Sequence, residues 1–323
     1  MSNKIKFVSG WFGAGDGSEY YGVSGHPSSG LGDYINALVT ALREVPFRSP
    51  VEVHFNVQPS FSKRKKILFL LEHNYIRPQN FLLNPKKYAA IFGWDADLKI
   101  HENFFYTTYP HNYDVSAFSQ SRNKRFVMVC SNRNILYGPE PRSLYNRRQE
   151  VITYFEKTNH DFNLFGSGWN APFVPPGLRG QVARKFFPKS YHKGNRLLQN
   201  YRGLVADKSG LLRDTEFNFC YENIVGYNGY VSEKLWDALA AGCIPVYWPS
   251  SRASDLYVPS DVFVDAAKFD GVADLVNYLD DMSLKERWER QAYSLEVAEQ
   301  MREKTSIEAY VEGIIRKVKS LGI

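Results

Sequence analysis

Four polar side chains lie close together in residues 217–248, which read FNFCYENIVGYNGYVSEKLWDALAAGCIPVYW. Glu222 and Asn223 follow an alternating apolar run that predicts a strand, and ligands bind at the carboxyl ends of strands in open α/β sheets. Glu233 and Lys234 begin the helical pattern that comes next. Because a helix N-terminus attracts phosphate and Lys234 adds a positive charge, we expect a phosphate-bearing ligand here, with Glu233 accepting from ribose hydroxyls.

A strand–helix–strand unit positions these four side chains. Gly226 and Gly229 allow the loop before the helix to approach a ligand closely, and Ser232 is a suitable N-cap. The helix then repeats apolar residues at i, i+3, i+4 and i+7, which should face the sheet: Leu235, Ala238, Leu239 and Gly242. A second buried strand over residues 244–248 closes the unit.

The spacing of the segment is more specific than any of its residues. Taken singly, each also suits an ordinary solvated helix start. The pattern EN-x5-GYVSEK-x2-DA-x3-G-x-IPVYW nevertheless closely resembles the signature of the α1,3/4-fucosyltransferases. Upstream, VMVCSNRN, NRRQEVITYF and NLFGSGWN resemble a strand end, an arginine-bearing helix and a strand with a glycine turn in that family, which extends the resemblance to roughly residues 124–248.

In that family the upstream helix supplies an arginine to the diphosphate of the donor. Arg148 is the better match, because Val151 and Phe155 follow it by three and seven residues as apolar residues do in the family. Arg147 is the alternative, and a solvated surface arginine without a ligand is the remaining interpretation.

The resemblance implies an inverting glycosyltransferase that transfers L-fucose from GDP-fucose to a glycan hydroxyl. Arg148 and Lys234 would neutralise the diphosphate, and Glu233 would hold the ribose. Asn223 and Tyr230 would line the same pocket. The expected linkage is of the α1,3 type, on a glycan that contains N-acetylglucosamine, with neither a metal nor another cofactor. Two alternatives are a transferase that uses another GDP- or UDP-sugar, and a non-catalytic nucleotide or glycan binder.

The general base should come from the other half of the chain. Glu72 ends the apolar run ILFLL, and LEHNYIRPQN weakly resembles the family's strand-end glutamate before a proline-containing loop. Glu102 and Asp95 stay open as alternatives. His73 is expected to orient its neighbour Glu72 rather than to bind zinc.

Two further motifs have weaker interpretations. Asp95 and Asp97 imitate the Asp-x-Asp metal site of a different glycosyltransferase architecture, but here they align with an acidic segment that the resembling family does not use for metal. The glycines of residues 13–17 are more typical of a flexible turn than of a phosphate loop. Residues 29–33, SGLGD, resemble the glycine turn that begins the N-terminal helix in many two-domain glycosyltransferases.

Composition indicates a large globular protein. With 323 residues, 44% apolar and 15% aromatic residues, the chain can form two packed domains. Its net charge of +6 is spread along the chain, and the one dense basic run, residues 63–66, is interpreted as a solvated strand start rather than a nucleic-acid or membrane patch. Three cysteines, an odd number, exclude a fully paired disulfide framework and favour a reducing compartment.

No signal peptide or spanning stretch is recognisable, so we expect a cytoplasmic protein that can still touch a membrane.

Short β-branched and aromatic runs alternate with helical patterns, which predicts an α/β fold with parallel sheets. We expect the arrangement called GT-B, in which two Rossmann-like domains face across a cleft. Residues 1–120 would form the acceptor-binding domain, and residues 121–323 the donor-binding domain with the terminal helices. Apolar residues over 307–318 recur at helical spacing and predict a C-terminal amphipathic helix packed on the body.

Overall fold

The computed structural model describes residues 4–9, 31–132, 143–169, 198–251 and 257–323. The chain divides into two compact units. The first unit contains Met1–Asn112, Asn228–Glu233 and Arg302–Ile323, and the second contains Tyr113–Tyr227 and Lys234–Met301. The division near residue 112 is close to the predicted one at 120, but two later segments join the first unit. The glycine motifs of residues 13–17 and 29–30 lie outside the described residues.

The first unit contains a parallel sheet whose strands follow one another in chain order. The strands are β1 (Ile5–Ser9), β2 (Val51–Phe55), β3 (Lys65–Leu70), β4 (Ala90–Gly93) and β5 (Phe104–Tyr106). Helix α1 (Leu31–Arg43) lies between the first two strands in the chain. β2 is buried at every position, as expected of a strand covered on both faces. β1, β2 and β3 coincide with short β-branched and aromatic runs of the sequence.

The second unit contains a parallel sheet with a reversal in its strand order. Its strands are β6 (Lys124–Val129), β7 (Phe162–Phe165), β8 (Thr215–Phe219), β9 (Ile244–Tyr247) and β10 (Val264–Asp265). They lie in the order β10-β9-β8-β6-β7. The chain therefore leaves β6 towards one edge for β7 and returns to the other side of β6 for β8. Such a switch point opens a crevice at the carboxyl ends of the two central strands, where α/β sheets bind ligands.

Helices lie between the strands of the second unit or follow its last strand, and they bury their apolar stripes. They are α2 (Tyr145–Phe155), α3 (Lys208–Arg213), α4 (Glu233–Ala240), α5 (Val272–Asp281) and α6 (Leu284–Thr305). Helix α4 begins directly after Ser232, and its predicted sheet-facing residues Leu235, Ala238 and Leu239 are fully buried. The strand–helix–strand unit predicted for residues 217–248 is confirmed.

The C-terminal helix α7 (Ile307–Ser320) forms as predicted, but it belongs to the first unit rather than to the second. Its buried residues Tyr310, Ile314 and Val318 share one hydrophobic core with α1. The ring of Tyr310 meets that of Tyr34 edge to face, with centroids 5.6 Å apart. The apolar stripe of α7 therefore packs against α1. Helical periodicity alone does not predict this partner.

The three cysteines carry free thiols. Over the described ranges no helix has both the length and the apolar character required to cross a bilayer. The cytoplasmic location stays a prediction.

Candidate functional site

The switch point of the second sheet brings together the residues that follow β6 and β8. Cys130 follows β6, and Glu222 and Asn223 come shortly after β8. The end of β7 passes so close that a Cβ on Gly166, which has a φ of +130°, would lie 1.9 Å from the carbonyl oxygen of Cys130. The glycine in the NLFGSGWN motif is therefore required by a close backbone approach.

Arg148 projects from α2 into this switch point and is 4% exposed. Its Nη2 donates to the carbonyl oxygens of Tyr221 and Glu222 at 2.6 and 2.9 Å. The same atom donates to Oδ1 of Asn223 at 2.9 Å. A buried guanidinium is thus fixed at the carboxyl end of β8 by three acceptors, and it joins two of the predicted donor-binding residues, Arg148 and Asn223.

Arg147, the sequence alternative, has a different environment. Its guanidinium lies over the ring of Trp248, 5.2 Å from the centroid, and donates to both carboxylate oxygens of Glu150. About half of the side chain is exposed. The structure therefore directs Arg148, not Arg147, to the end of β8.

Lys234 and Glu222 form an ion pair beside Arg148. Nζ of Lys234 lies 3.7 Å from Oε2 of Glu222, and the glutamate side chain is fully buried. The hydroxyl of Tyr247, on β9, donates to the other carboxylate oxygen at 2.8 Å. Sequence reasoning noticed Glu222 only as a strand-end acid. Its burial and its bond to Tyr247 follow from the pairing of β8 with β9, which no local pattern reports.

The thiol of Cys130 reports on the electrostatics of the switch point. Burial raises its pKa to about 11, and the positive charges of Arg148 and Lys234 oppose that rise. Both cations therefore act on the same position at the end of β6. Two cationic side chains that converge at the switch point of a parallel sheet suit the binding of an anion such as a diphosphate.

The loop before α4 packs within the first unit. A Cβ on Gly229 would lie 2.8 Å from the carbonyl oxygen of Trp94 and from the ring of Tyr106. Nδ2 of Asn228 donates to Oδ1 of Asp97 at 2.7 Å. The sequence predicted that Gly229 permits close approach to a ligand, whereas the close approach found here is to protein backbone.

Tyr230 and Glu233 are in the part of this loop that the sequence assigned to the donor site. The ring of Tyr230 lies against Trp94 with centroids 4.4 Å apart, and Tyr230 is buried. Glu233 begins α4, yet both residues belong to the first unit, while Lys234 belongs to the second. The donor roles of Tyr230 and Glu233 stay predictions.

Glu72 lies at the carboxyl end of β3, where two buried asparagines hold its main chain. Oδ1 of Asn56 accepts from the backbone N–H groups of Leu71 and Glu72, each at 3.1 Å. Nδ2 of Asn80 donates to Oδ1 of Asn56 at 3.1 Å and to the carbonyl oxygen of Glu72 at 2.8 Å. Asn56 has a φ of +60°, which asparagine tolerates better than most residues. Sequence reasoning missed both asparagines, although an asparagine at a strand end is a usable signal.

The carboxylate of Glu72 has charged neighbours within the first unit. Burial raises the pKa of the Tyr34 phenol, and Tyr109, Tyr310, Glu72 and Glu233 add to that rise. Burial lowers the pKa of Arg77, and the charge of Glu72 opposes that change. Glu72 and Glu233 thus both act on Tyr34, and Arg77 acts on Glu72. His73 is buried, and its Nδ1 accepts from the N–H of Ile76 at 3.3 Å.

Asp95 and Glu102, the alternative candidates for the general base, have different environments. Asp95 caps a short 3-10 helix (Ala96–Ile100) by accepting from the N–H of Asp97, and burial raises its pKa to about 6. Glu102 is exposed in a turn. In the described part of the chain, no group of three or more His, Cys, Asp or Glu side chains is arranged to hold a metal ion.

Comparison with known families matches residues 195–311 to the model of glycosyltransferase family 10 (fucosyltransferase), C-terminal part. Residues 195–311 are therefore similar to the C-terminal part of that family. The matched segment contains Glu222, Asn223, Glu233 and Lys234, so the resemblance stated from the sequence is confirmed on the residues that carried it. Arg148 precedes the matched segment and contacts it through its bonds to Tyr221, Glu222 and Asn223.

Curated proteins match this chain over short stretches. An alpha-(1,3)-fucosyltransferase of Helicobacter pylori is 44% identical over 77 residues, 23% of this chain and 16% of the relative. The 4-galactosyl-N-acetylglucosaminide 3-alpha-L-fucosyltransferase 9 of Mus musculus is 32% identical over 114 residues, 35% of this chain and 30% of the relative. The chain thus matches less than a third of the length of either relative.

Solved structures resemble nearly the whole chain. An alpha1,3-fucosyltransferase with GDP matches at a TM-score of 0.53 and 14% identity, covering 97% of this chain and 90% of that one. The structure of an alpha1,3-fucosyltransferase with GDP-fucose matches at 0.51 and 16% identity, covering 90% and 81%. HepE of Anabaena, with UDP and glucose, matches at 0.50 and 12% identity, covering 89% and 81%. The predicted fold class, α/β of the GT-B type with a C-terminal amphipathic helix, is confirmed.

Proposed function

We propose that the protein is an inverting glycosyltransferase that transfers L-fucose from GDP-fucose to a hydroxyl of a glycan. The observation that carries this proposal is the convergence of Arg148 and Lys234 at the end of β8. There the sheet order reverses, and the strand end lies in the segment that matches family 10. Fold, family and charge all favour a nucleoside diphosphate sugar as the ligand of this position.

The positive charge at the switch point suits the departure of GDP. When the bond between the sugar carbon and the diphosphate oxygen breaks, negative charge grows on the leaving oxygen, and Arg148 and Lys234 stabilise it. Asn223 is held by Arg148 and lines the same position. Glu233 binds the ribose, and Tyr230 lines the donor pocket. Because two side chains supply the charge, the proposal needs no metal ion or other cofactor.

Glu72 is the general base of the proposed reaction. It removes the proton from the acceptor hydroxyl as that oxygen forms a bond to the anomeric carbon of fucose. The oxygen attacks from the face opposite to the diphosphate, so the anomeric configuration inverts in a single displacement. The two asparagines that fix the main chain of Glu72 supply the rigid support that a base requires.

The acceptor is proposed to be an oligosaccharide or glycoconjugate that contains N-acetylglucosamine, joined through an α1,3-type linkage. The support is the relative from Mus musculus, which carries such an acceptor in its name. No nucleic acid is expected as a partner, because residues 63–66 are the one dense basic run in the sequence.

A second candidate keeps the chemistry and changes the donor to another GDP- or UDP-sugar. It is favoured by the likeness to HepE, whose structure contains UDP and glucose. Calorimetry with GDP-fucose, GDP-mannose, UDP-glucose and UDP-N-acetylglucosamine separates the two. We expect heat of binding from GDP-fucose at the lowest concentration, and tighter binding of a UDP-sugar would replace the first proposal with the second.

A third candidate is a non-catalytic binder that keeps the donor pocket. It predicts nucleotide binding without turnover for the wild-type protein, and the loss of turnover on substitution of any one candidate base would exclude it.

A further inference from the structure

We propose that Glu222 is a built-in competitor of the donor diphosphate for Lys234, so that it weakens nucleotide binding and eases the release of GDP. This inference rests on the proposed function, which assigns the diphosphate to Lys234. It adds a role for a residue that neither the sequence motif nor the comparisons explain.

The geometry gives Lys234 an anionic partner in the absence of nucleotide. Oε2 of the fully buried Glu222 lies 3.7 Å from Nζ of Lys234, whose side chain is 17% exposed. The ammonium group therefore retains some access from solvent while its partner has none. An anion that arrives from solvent must therefore compete with Glu222 for the ammonium group of Lys234.

Two other contacts keep the carboxylate of Glu222 in place. The Tyr247 hydroxyl donates to Oε1 of Glu222, which leaves Oε2 directed towards Lys234. Burial and the charge of Glu222 both raise the pKa of Tyr247, so the phenol stays a proton donor. Arg148 donates to the main-chain carbonyl of Glu222, which ties the second phosphate-directed cation to the same residue.

The consequence is electrostatic. A carboxylate within a few ångströms of the bound diphosphate repels it, and the nucleotide must draw Lys234 away from a buried partner. Both effects lower affinity for the donor and for GDP alike. Uniform weakening of this kind costs little at a saturating donor concentration and hastens the departure of the product.

Glu222→Gln tests the proposal, because glutamine has nearly the same shape and can still accept from Tyr247. Calorimetry would measure the affinity of the full-length protein for GDP and, separately, for inorganic pyrophosphate. We expect both ligands to bind roughly 10-fold more tightly to Glu222→Gln, since one unit of opposing charge is removed at close range. Unchanged or weaker binding would overturn the proposal.

A double-mutant cycle assigns the effect to Lys234. In a Lys234→Met background, Glu222→Gln should change the affinity for pyrophosphate by less than half as much on a logarithmic scale. An equal change in both backgrounds would overturn the assignment to Lys234. If Glu222→Gln does not fold, Tyr247→Phe replaces it. Without the hydrogen bond from Tyr247, the carboxylate of Glu222 interacts more strongly with Lys234, so GDP should bind about 3-fold more weakly. Tighter binding to Tyr247→Phe would contradict the competition.

Pyrophosphate separates this inference from the proposed function. Wild-type protein that binds pyrophosphate but no guanosine nucleotide would disprove GDP-fucose as the donor, while the effect of Glu222→Gln on pyrophosphate still tests the competitor. Wild-type protein that binds neither ligand would overturn both.

Discussion

Oδ1 of Asn56 lies 3.1 Å from the backbone nitrogen of Glu72 and joins the end of β2 to the end of β3. Asn80 completes the arrangement by donating to the carbonyl oxygen of Glu72. Both asparagines are buried, and these bonds reach the main chain of Glu72. They are positioning residues, which fix where the proposed base begins without taking part in the proton transfer.

Asn56→Gly should reduce turnover without weakening donor binding. Glycine accepts the positive φ at this position but removes the oxygen that holds Leu71 and Glu72. A base displaced by about 1 Å costs on the order of 100-fold in rate. Steady-state kinetics should therefore show a lower kcat, with the affinity for GDP unchanged by calorimetry.

The matched variant is Asn56→Asp, which keeps an acceptor oxygen and should retain more turnover than Asn56→Gly. A parallel loss of GDP affinity and kcat in Asn56→Gly would indicate a general loss of structure rather than a displaced base.

Among the candidate bases, Glu72→Gln alone should abolish turnover. Asp95 is occupied in capping a 3-10 helix, and asparagine can make the same bond, so Asp95→Asn should keep activity. Glu102 is exposed, and Glu102→Gln should behave likewise. General-base removal typically costs about 100-fold or more. If Glu72→Gln retains turnover and one of the other two variants loses it, the general base is the residue changed in that other variant.

Substitution of the two neighbouring arginines should have different effects on turnover and stability. Arg148→Met removes a buried donor to three acceptors and one of the two charges for the diphosphate, so we expect a turnover loss of about 100-fold or more. Its free energy of unfolding should fall by about 3 kcal/mol. Arg147→Met is the matched control: its exposed pair with Glu150 contributes at most about 1 kcal/mol.

Turnover per folded molecule, with the folded fraction measured by circular dichroism, decides between the arginines. An Arg147→Met loss as large as that of Arg148→Met would contradict the structural assignment.

Glu52 should contribute to stability in a pH-dependent manner. Burial alone raises its pKa, but hydrogen bonds from Ser60, Lys6 and His54 outweigh burial and lower the pKa from 4.5 to about 2. A lowered carboxyl pKa stabilises the folded state above the unfolded pKa and loses that effect as the pH falls through the folded one. At about 1.4 kcal/mol per pKa unit, Glu52→Gln should lower the free energy of unfolding at pH 7 by about 3 kcal/mol.

Urea denaturation of wild type and Glu52→Gln at pH 7 and at pH 3 measures this effect. The difference between the two proteins should shrink at pH 3, because the wild type has then lost part of the contribution. A difference that is constant with pH would assign the loss to packing instead of to charge.

The strand–helix–strand unit around Lys234 was predictable because every local signal agrees. Alternating apolar residues specify β8, helical spacing specifies α4, and the buried run specifies β9. The preference for Arg148 over Arg147 came from the family resemblance, and the structure buries Arg148 on α2 together with Val151 and Phe155. Local periodicity therefore carried the fold of this unit, whereas the choice of Arg148 came from the resemblance.

Tertiary packing decided what the sequence could not. Tyr230 and Gly229 stand in the same motif as Lys234, yet they pack against Trp94, a residue far away in the chain. The positive φ of Asn56 depends on contacts with β3 and Asn80, and the location of α7 depends on the matching face of α1. These tertiary contacts produce no periodic pattern of apolar residues. The sequence therefore predicts the helices and strands but not these contacts.

The most direct test of the account is transfer itself. The purified protein is incubated with GDP-fucose and an array of glycans, beside a Lys234→Ala variant, and the products are identified by mass spectrometry. The account predicts that the wild type adds one fucose to a glycan containing N-acetylglucosamine, and that Lys234→Ala does so about 100-fold more slowly or not at all. Undiminished turnover by Lys234→Ala, or a wild type that leaves every glycan unmodified, would contradict it.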